Sequence, residues 1–214
     1  MALLVGICGG SGSGKTTLAR RVAERFQLER GPAGATVVSF DAYYRDQGHL
    51  PPTERAAVNY DHPDSLDGAL LAADLRRLQA GAETAIPVYD FATHTRSADL
   101  RVLDPADVIV VEGILLFSFP EVRNQLDFRV FRQCPEEIRF ERRIRRDQRD
   151  RGRTEASVRA QLAATVKPMH DRFVEPYAAE AHFVTQHGQD LDHVTDTLVN
   201  QLRSLAPAVE LPNL

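Results

Sequence analysis

The sequence predicts an α/β fold, a three-layer sandwich in which helices cover both faces of a mostly parallel five-stranded sheet. Apolar runs of strand length alternate with segments whose apolar residues recur at helical spacing, which is typical of such a sheet. The second observation is a glycine-rich motif between the first strand and the first helix. With 214 residues, of which 43% are hydrophobic, we expect one domain over residues 1–206 and a loose tail at 207–214.

Residues 9–17 read GGSGSGKTT and match the phosphate-binding pattern G-x-x-x-x-G-K-[ST]. An apolar run at residues 2–8 precedes the motif, and residues 17–26 follow it with apolar positions at helical spacing. Inward-facing backbone N–H groups and a helix N-terminus suit a polyphosphate. We therefore predict a P-loop NTPase fold in which Lys15 reaches the β- and γ-phosphates and Thr16 binds Mg²⁺. The candidate nucleotide-binding residues are Gly9, Gly10, Ser11, Gly12, Ser13, Gly14, Lys15, Thr16 and Thr17.

Two carboxylates follow predicted strands. The strand at residues 35–40 ends at Asp41, and the β-branched run at 108–113 contains Glu112 near its end. Functional residues collect at the carboxyl ends of parallel strands, so we expect both near the P-loop, with Mg²⁺ between them and Thr16. Asp41 could also take the proton of an acceptor hydroxyl, as in kinases. A turn or N-cap role is the alternative for Asp41.

Residues 42–65 are polar and aromatic, and are expected to form a long functional loop. An amphipathic helix is predicted at 66–78. Period-two alternation predicts a β-hairpin at about 86–103, which interrupts the alternation of strands and helices. Strands at 126–131 and 182–185 complete the sheet, and a helix at 191–205 follows.

An arginine-rich helix is predicted over residues 136–153, continuing at 155–166 until Pro168 interrupts it. A further helix at 169–181 is expected to bend or split at Pro176. The arginines fit a solvated helix face with Glu141–Arg145 and Asp147–Arg151 pairs, a nucleic-acid patch, or a lid over phosphates. The lid, at about residues 136–165, is favoured because guanidinium groups match phosphate oxygens. The arginines lie at positions 139, 142, 143, 145, 146, 149, 151 and 153.

Composition disfavours several classes of protein. The formal net charge of −4 provides no general attraction to nucleic acid or anionic lipid, and no apolar run approaches the ~20 residues that span a bilayer. No signal-peptide pattern is present, and Cys8 and Cys134 form no C-x-x-C pair, so both are expected to be buried free thiols. We expect a cytoplasmic protein with neither a nucleic-acid nor a membrane partner.

Taken together and in order, the motifs resemble those of the uridine kinase (uridine–cytidine kinase) family of P-loop kinases. Besides the P-loop they are FDAYYRD at 40–46, NYDHPDSLD at 59–67, IPVYDFATHTR at 86–96, VEGILLF at 111–117, RRIRRDQRDRGRT at 142–154 and VKPMHDRFVEPY at 166–177. The resemblance implies Mg²⁺-dependent transfer of the ATP γ-phosphate, with GTP as an alternative donor, to the 5′-hydroxyl of uridine or cytidine. It also implies a homotetramer.

The resemblance further implies a role for each matching residue. Asp41 matches the catalytic base, Thr16 and Glu112 the Mg²⁺ neighbourhood, and Asp61 with Arg143 the ribose site. The phosphate-binding lid arginines, which with Lys15 and Asp41 complete the catalytic set, are Arg146 and Arg151. The remaining nucleoside-binding residues are Tyr44, Tyr60, Tyr89, Phe91, His94, Arg153 and Gln161. One carboxylate can accept both ribose hydroxyls, and an aromatic wall suits a planar base. Ordinary hairpin packing is the alternative for Tyr89, Phe91 and His94.

Two segments depart from the family pattern. After Phe131 this chain has Arg132-Gln133-Cys134, where an acidic residue is common, and residues 181–188 read AHFVTQHG instead of a sequence ending in Pro-Arg-Gly. These departures leave the choice between ATP and GTP open. A phosphoribulokinase-like kinase of a sugar phosphate and a nucleotide-dependent switch are the alternative functions. A GTPase switch should carry an N-K-x-D motif, which this chain lacks.

Overall fold

A parallel sheet of five strands forms the middle layer of this computed structural model, which describes residues 1–206 apart from the side chain of Arg151. The predicted tail at 207–214 lies outside the described residues. The seven strands of the described chain are β1 (Leu3–Cys8), β2 (Ala35–Ser39), β3 (Thr84–Asp90), β4 (Thr95–Leu103), β5 (Val108–Gly113), β6 (Phe128–Arg132) and β7 (Phe183–Thr185). The sheet has the order β2-β5-β1-β6-β7, and all its pairings are parallel, whereas β3 and β4 form a separate antiparallel hairpin. The predicted fold class is confirmed.

Helices cover both faces of the sheet because several of them present apolar residues to it. The described α-helices are α1 (Lys15–Arg30), α2 (Pro52–Ala57), α3 (Gly68–Gln79), α4 (Pro120–Arg123), α5 (Glu136–Arg151), α6 (Glu155–Gln161), α7 (Lys167–Phe173) and α8 (Leu191–Arg203). Leu18 and Phe26 of α1 pack with Leu198 of α8 on one face, and Leu71 and Leu75 of α3 lie in the core of the other. Burial of this kind contributes about 25 cal/mol per Å² of apolar surface.

Two predictions about local structure are wrong. Residues 42–65 are not a plain loop: they contain α2 and the 3₁₀ turn Pro63–Ser65. Pro168 does not interrupt the helix, because a π-helical turn over Leu162–Val166 joins α6 to α7. Lys167 donates its N–H to the Leu162 carbonyl across that wider turn, which places Pro168 in the first turn of α7, where a missing N–H is tolerated.

The lid segment has a small apolar core of its own. Ile144 of α5 packs with Val158, Leu162 and Val166, and each of the four is buried. The helical run predicted to bend or split at Pro176 is split there: α7 stops at Phe173 and a 3₁₀ segment, Glu175–Glu180, follows. No helix within residues 1–206 is long and apolar enough to cross a membrane.

Candidate active site

The P-loop connects β1 to α1 and packs against the first turns of α5. Gly12 and Gly14 have φ values of 83° and 92°, in the left-handed region that favours glycine. A Cβ on Gly12 would clash with the carbonyl oxygen of Arg139, so the chain passes too close to α5 for a side chain there. Lys15 opens α1 and is buried, and Thr16 follows it. The loop therefore has the tight, glycine-dependent geometry of a phosphate cradle.

Glu112 lies beneath the P-loop and holds the Thr16 side chain. The Thr16 hydroxyl donates to Glu112 Oε2 at 3.0 Å, and the Ser39 hydroxyl donates to Oε1 at 2.8 Å. Burial raises the pKa of Glu112; Lys15 opposes that rise and Asp41 adds to it. A cation above the carboxylate would favour its charged form. Ser39, at the end of β2, was not predicted from the sequence.

The donor set fits Mg²⁺ shared with phosphates. Thr16, Glu112 and Asp41 offer oxygen ligands, which this cation prefers, and Mg²⁺ commonly takes only one or two carboxylates and fills its shell with phosphate oxygens and water. No group of three or more His, Cys, Asp or Glu side chains within residues 1–206 could hold a metal ion alone.

Asp41 lies in the 3₁₀ turn Phe40–Tyr43 that directly follows β2. Its Oδ1 is buried and has no hydrogen-bond partner among the described residues. The side chain lines the same cavity as Lys15 and Thr16. An unsatisfied buried carboxylate oxygen is costly, so it is expected to accept a hydrogen bond or contact a cation when the cavity is filled.

Five rings form an aromatic wall on the far side of that cavity. The Tyr44 ring centroid lies 5.6 Å from that of Tyr60 and 5.3 Å from that of Tyr89, while Phe91 lies 5.3 Å from Tyr89. His94 stacks on Tyr60 at 4.5 Å, with 13° between the planes. These contacts come from both the 42–65 segment and the β3–β4 hairpin, so the hairpin folds back onto the site.

His94 holds an unusual backbone conformation in the hairpin turn. Its φ of 55° is the single positive value among the described non-glycine residues. Histidine visits the left-handed region more readily than most residues, at some energetic cost, and such strain is concentrated at functional sites.

A polar network joins the aromatic wall to the lid. Arg143 Nη1 lies 3.5 Å from Asp61 Oδ1, and the Thr165 hydroxyl lies 3.4 Å from Oδ2. Gln161 Oε1 accepts from both Arg143, at 3.0 Å, and Arg153, at 2.7 Å. Both contacts of Asp61 are long, so its oxygens can exchange them for shorter bonds to a ligand.

Asp147 is a site residue that the sequence did not identify, because it entered only in the disfavoured alternative of a solvated helix face. Its side chain is fully buried, and it accepts from Arg146 Nε at 2.9 Å. Arg143 and Arg153 lie 3.6 and 4.0 Å from its other oxygen. The available signal was the i, i+4 spacing of Arg143 and Asp147, which puts both on the inner face of α5. The predicted Arg151 side chain lies outside the described part, and the predicted exposed Glu141–Arg145 pair is present at 3.7 Å.

Most of the predicted residues meet around one cavity, which we call the aromatic cavity. Its lining residues are Ser11, Lys15, Thr16, Asp41, Tyr44, Tyr60, Asp61, Tyr89, Phe91, His94, Ile114, Arg143, Arg146, Arg153 and Gln161.

A second cavity, the P-loop cavity, lies across the loop. It is lined by Gly12, Ser13, Gly14, Lys15, Thr16, Thr17, Arg132, Arg142, Arg146, His187, Gly188, Gln189 and Leu191. Lys15, Thr16 and Arg146 line both cavities, so a group passing from one to the other would travel between two cations.

The family model and the similar proteins all point to one family. The model of the phosphoribulokinase / uridine kinase family matches residues 4–194. The chain is 43% identical to the uridine kinase of Leuconostoc citreum, over 95% of this chain and 96% of the relative, and 41% identical to that of Shewanella pealeana over the same shares. A solved structure described as a possible uridine kinase from Bacillus stearothermophilus superposes with a TM-score of 0.58 at 25% identity, covering 86% of this chain and 88% of that one. By the length of the family match and the identity to its members, this chain belongs to the phosphoribulokinase / uridine kinase family.

Proposed function

We propose that the protein transfers the γ-phosphoryl group of ATP, or of another nucleoside triphosphate, to the 5′-hydroxyl of uridine or cytidine. The observation that carries the proposal is the shared boundary of the two cavities. Lys15, Thr16 and Arg146 line both, and the unpartnered Asp41 oxygen lies on the side of the aromatic cavity. The similarity to uridine kinases over nearly the whole chain supports the choice of acceptor.

In the P-loop cavity, the loop amides and Lys15 would bind the triphosphate. Mg²⁺, when bound by Thr16 and the neighbouring carboxylates, neutralises phosphate charge. Lys15 and Arg146 would stabilise the negative charge on the transferred group from both sides, because phosphoryl transfer depends mainly on positioning and charge stabilisation. Asp147 holds the Arg146 guanidinium in place for this role.

In the aromatic cavity, Asp41 would accept the hydrogen bond of the 5′-hydroxyl, orient that oxygen toward the phosphate and take its proton. Asp61 would accept both ribose hydroxyls. The rings of Tyr44, Tyr89 and Phe91 would pack against the pyrimidine, and His94 could present a donor or an acceptor nitrogen to its 4-substituent. A phosphate-bearing acceptor is disfavoured because the wall is aromatic and the nearby Arg143 and Arg153 already bond to Gln161.

The direct test is a coupled assay of ATP consumption with uridine, cytidine, other nucleosides, a pentose phosphate and no acceptor. We expect turnover with uridine or cytidine and a monophosphate product. Preferential turnover of the pentose phosphate would instead support a sugar-phosphate kinase. Triphosphate hydrolysis that needs no acceptor would support a switch.

A further inference from the structure

Arg96 of β4 ties the β3–β4 hairpin to the segment that follows Asp41. Its Nε donates to the Tyr44 carbonyl at 2.8 Å, and its Nη2 donates to the Tyr43 carbonyl at 3.1 Å. The backbone N–H of the same residue donates to Asp46 Oδ1 at 3.0 Å. One residue of the hairpin therefore makes three hydrogen bonds to one short stretch of chain.

The charge of Arg96 is balanced within the same cluster. Its Nη2 lies 3.5 Å from Asp67 Oδ2, and each of the two side chains is 23% exposed. Asp67 also donates its backbone N–H to the Tyr43 carbonyl at 2.9 Å and accepts from the N–H of Leu70 at 3.1 Å, as the N-cap of α3. The guanidinium is planar and rigid, so it can hold two neighbouring carbonyls and a carboxylate in one fixed arrangement.

The hairpin needs such anchors because it is not part of the central sheet. Strands β3 and β4 form a two-stranded sheet of their own, and a two-stranded hairpin alone is at best marginally stable in water. Two further hydrogen bonds join the hairpin to the rest of the chain. They run from Arg55 to the Thr93 carbonyl at 3.3 Å and from Arg101 to the Val37 carbonyl at 3.4 Å, so both are longer than the two side-chain bonds of Arg96.

The segment held by Arg96 carries the proposed base. Asp41 lies in the 3₁₀ turn Phe40–Tyr43, so the Tyr43 carbonyl belongs to the last residue of that turn. On the hairpin side, Arg96 is paired directly with Tyr89, whose ring belongs to the aromatic wall. A displacement of about 1 Å between a catalytic group and its substrate can lower the rate by about 10²-fold.

We propose that Arg96 is a positioning residue, which fixes Asp41 relative to the aromatic wall. A nucleoside held by the wall then presents its 5′-hydroxyl to the carboxylate at a set distance. This inference rests on the proposed function, for whose acceptor site it names a residue that acts through its neighbours and not on the substrate.

The first experiment is a double-mutant cycle on kcat with uridine, in which Arg96→Met is made in the wild type and in Asp41→Asn. In the wild type it should lower kcat by about 10- to 10²-fold, the effect of a misplaced catalytic group. In the Asp41→Asn background it should change kcat little, because the base is already absent. The affinity for ATP, measured by calorimetry, should stay at the wild-type value, because the P-loop is unchanged.

Two further variants complete the comparison. Arg96→Lys keeps the charge beside Asp67 but not the planar fork, so its kcat should lie between those of the wild type and Arg96→Met. Arg101→Met is the matched control, because Arg101 is an exposed arginine of the same strand that also donates to a backbone carbonyl. It should keep the wild-type kcat and KM.

The second experiment is hydrogen exchange measured by mass spectrometry, which does not depend on turnover. In Arg96→Met, peptides that cover residues 41–46 and 89–96 should exchange faster than in the wild type, whereas P-loop peptides should exchange at the wild-type rate. In Arg101→Met, the peptide that covers 41–46 should exchange as in the wild type.

Equal fold losses of kcat in the two backgrounds would overturn the inference, because they indicate a general structural role. Unchanged exchange of residues 41–46 in Arg96→Met would overturn it as well. If Arg96→Met does not fold, Arg96→Lys is used in both experiments with the same criteria. If the wild type phosphorylates no nucleoside, the proposed function fails, whereas hydrogen exchange still decides whether Arg96 holds the turn of Asp41.

Discussion

Asp41, Asp61, Glu112 and Asp147 are four carboxylates of one site, and their partners separate their roles. Glu112 is occupied by two hydroxyls and Asp147 by arginines, so both hold protein groups in place. Asp61 makes only long contacts, and Asp41 Oδ1 makes none among the described residues. Asp41 and Asp61 are therefore the carboxylates with the most capacity left for a substrate hydroxyl.

Asp41→Asn is expected to lower kcat by about 10² to 10⁴-fold, the usual contribution of a positioned general base. Binding of the nucleoside triphosphate should remain nearly intact, because Lys15 and the P-loop are unchanged. Steady-state kinetics together with calorimetric nucleotide titration check both points. Unchanged turnover would rule Asp41 out as the base.

Asp61→Asn should raise KM for uridine by roughly tenfold, in the range expected for a lost charge-assisted hydrogen bond. The same substitution should raise KM by a smaller factor with 2′-deoxyuridine, which lacks one of the two hydroxyls assigned to Asp61. The measurement is KM for both nucleosides in both proteins. Equal losses would show that Asp61 acts only through Arg143 and not on the ribose.

Helix α5 is the element that links the two cavities. Its first turns pack on the P-loop, and its inner face carries Arg143 and Arg146. The sequence predicted this helix, and its many arginines favoured a lid over phosphates among three alternatives. It could not predict the contact of Arg139 with Gly12, because close packing between segments that are far apart in the sequence leaves no periodic pattern.

Gly12→Ala should disable nucleotide binding, since the new Cβ meets the Arg139 carbonyl in addition to a φ of 83°. Gly81→Ala is the matched control: φ is 81° there, and no atom lies within 4 Å of the added Cβ. Both variants carry a backbone penalty of about 1–3 kcal/mol. Calorimetric titration with nucleotide, alongside thermal unfolding, should show lost binding in the first variant only. Equal behaviour of the two would mean that the contact with α5 is unimportant.

At the scale of the whole molecule, the parallel strands put the P-loop, Asp41 and Glu112 together at the carboxyl ends of neighbouring strands. The strands, the hairpin and the P-loop could be predicted because period-two and period-3.6 patterns and glycine spacing are local signals. The burial of Asp147 could not, because a charged residue in a charge-rich helix has the pattern of a solvated face. The π-helical turn before Pro168 could not be predicted either, since it depends on how α6 and α7 pack.

The stability of the folded molecule should depend on His170 in mildly acid solution. Burial, followed by the charge of Arg139, lowers the pKa of His170 from 6.5 to about 4. Asp171 and Glu136 act in the opposite direction. Glu175 Oε2 lies 3.6 Å from His170 Nε2. The unfolded chain therefore binds the proton first as pH falls, so the free energy of unfolding decreases between about pH 6.5 and 4.

His170→Gln should flatten this dependence, and the exposed His49→Gln should not. Urea unfolding of the wild type and both variants across that range is the measurement. Only the difference between wild type and variant is diagnostic, because the other titrating groups are common to both. Parallel curves for wild type and His170→Gln would contradict the assignment.

The packing of α5 on the P-loop also fixes the distance from the loop at which Arg146 lies. Arg139 fixes one end against Gly12, and Arg146 lies seven residues further along, which at 1.5 Å per residue is about 10 Å. The number of residues between the two arginines thus fixes the position of Arg146 along the helix axis, and the rotation per residue fixes the direction of its side chain. Removing one residue between the two would shorten the helix only slightly but rotate the guanidinium by about 100°, away from the two cavities that it lines.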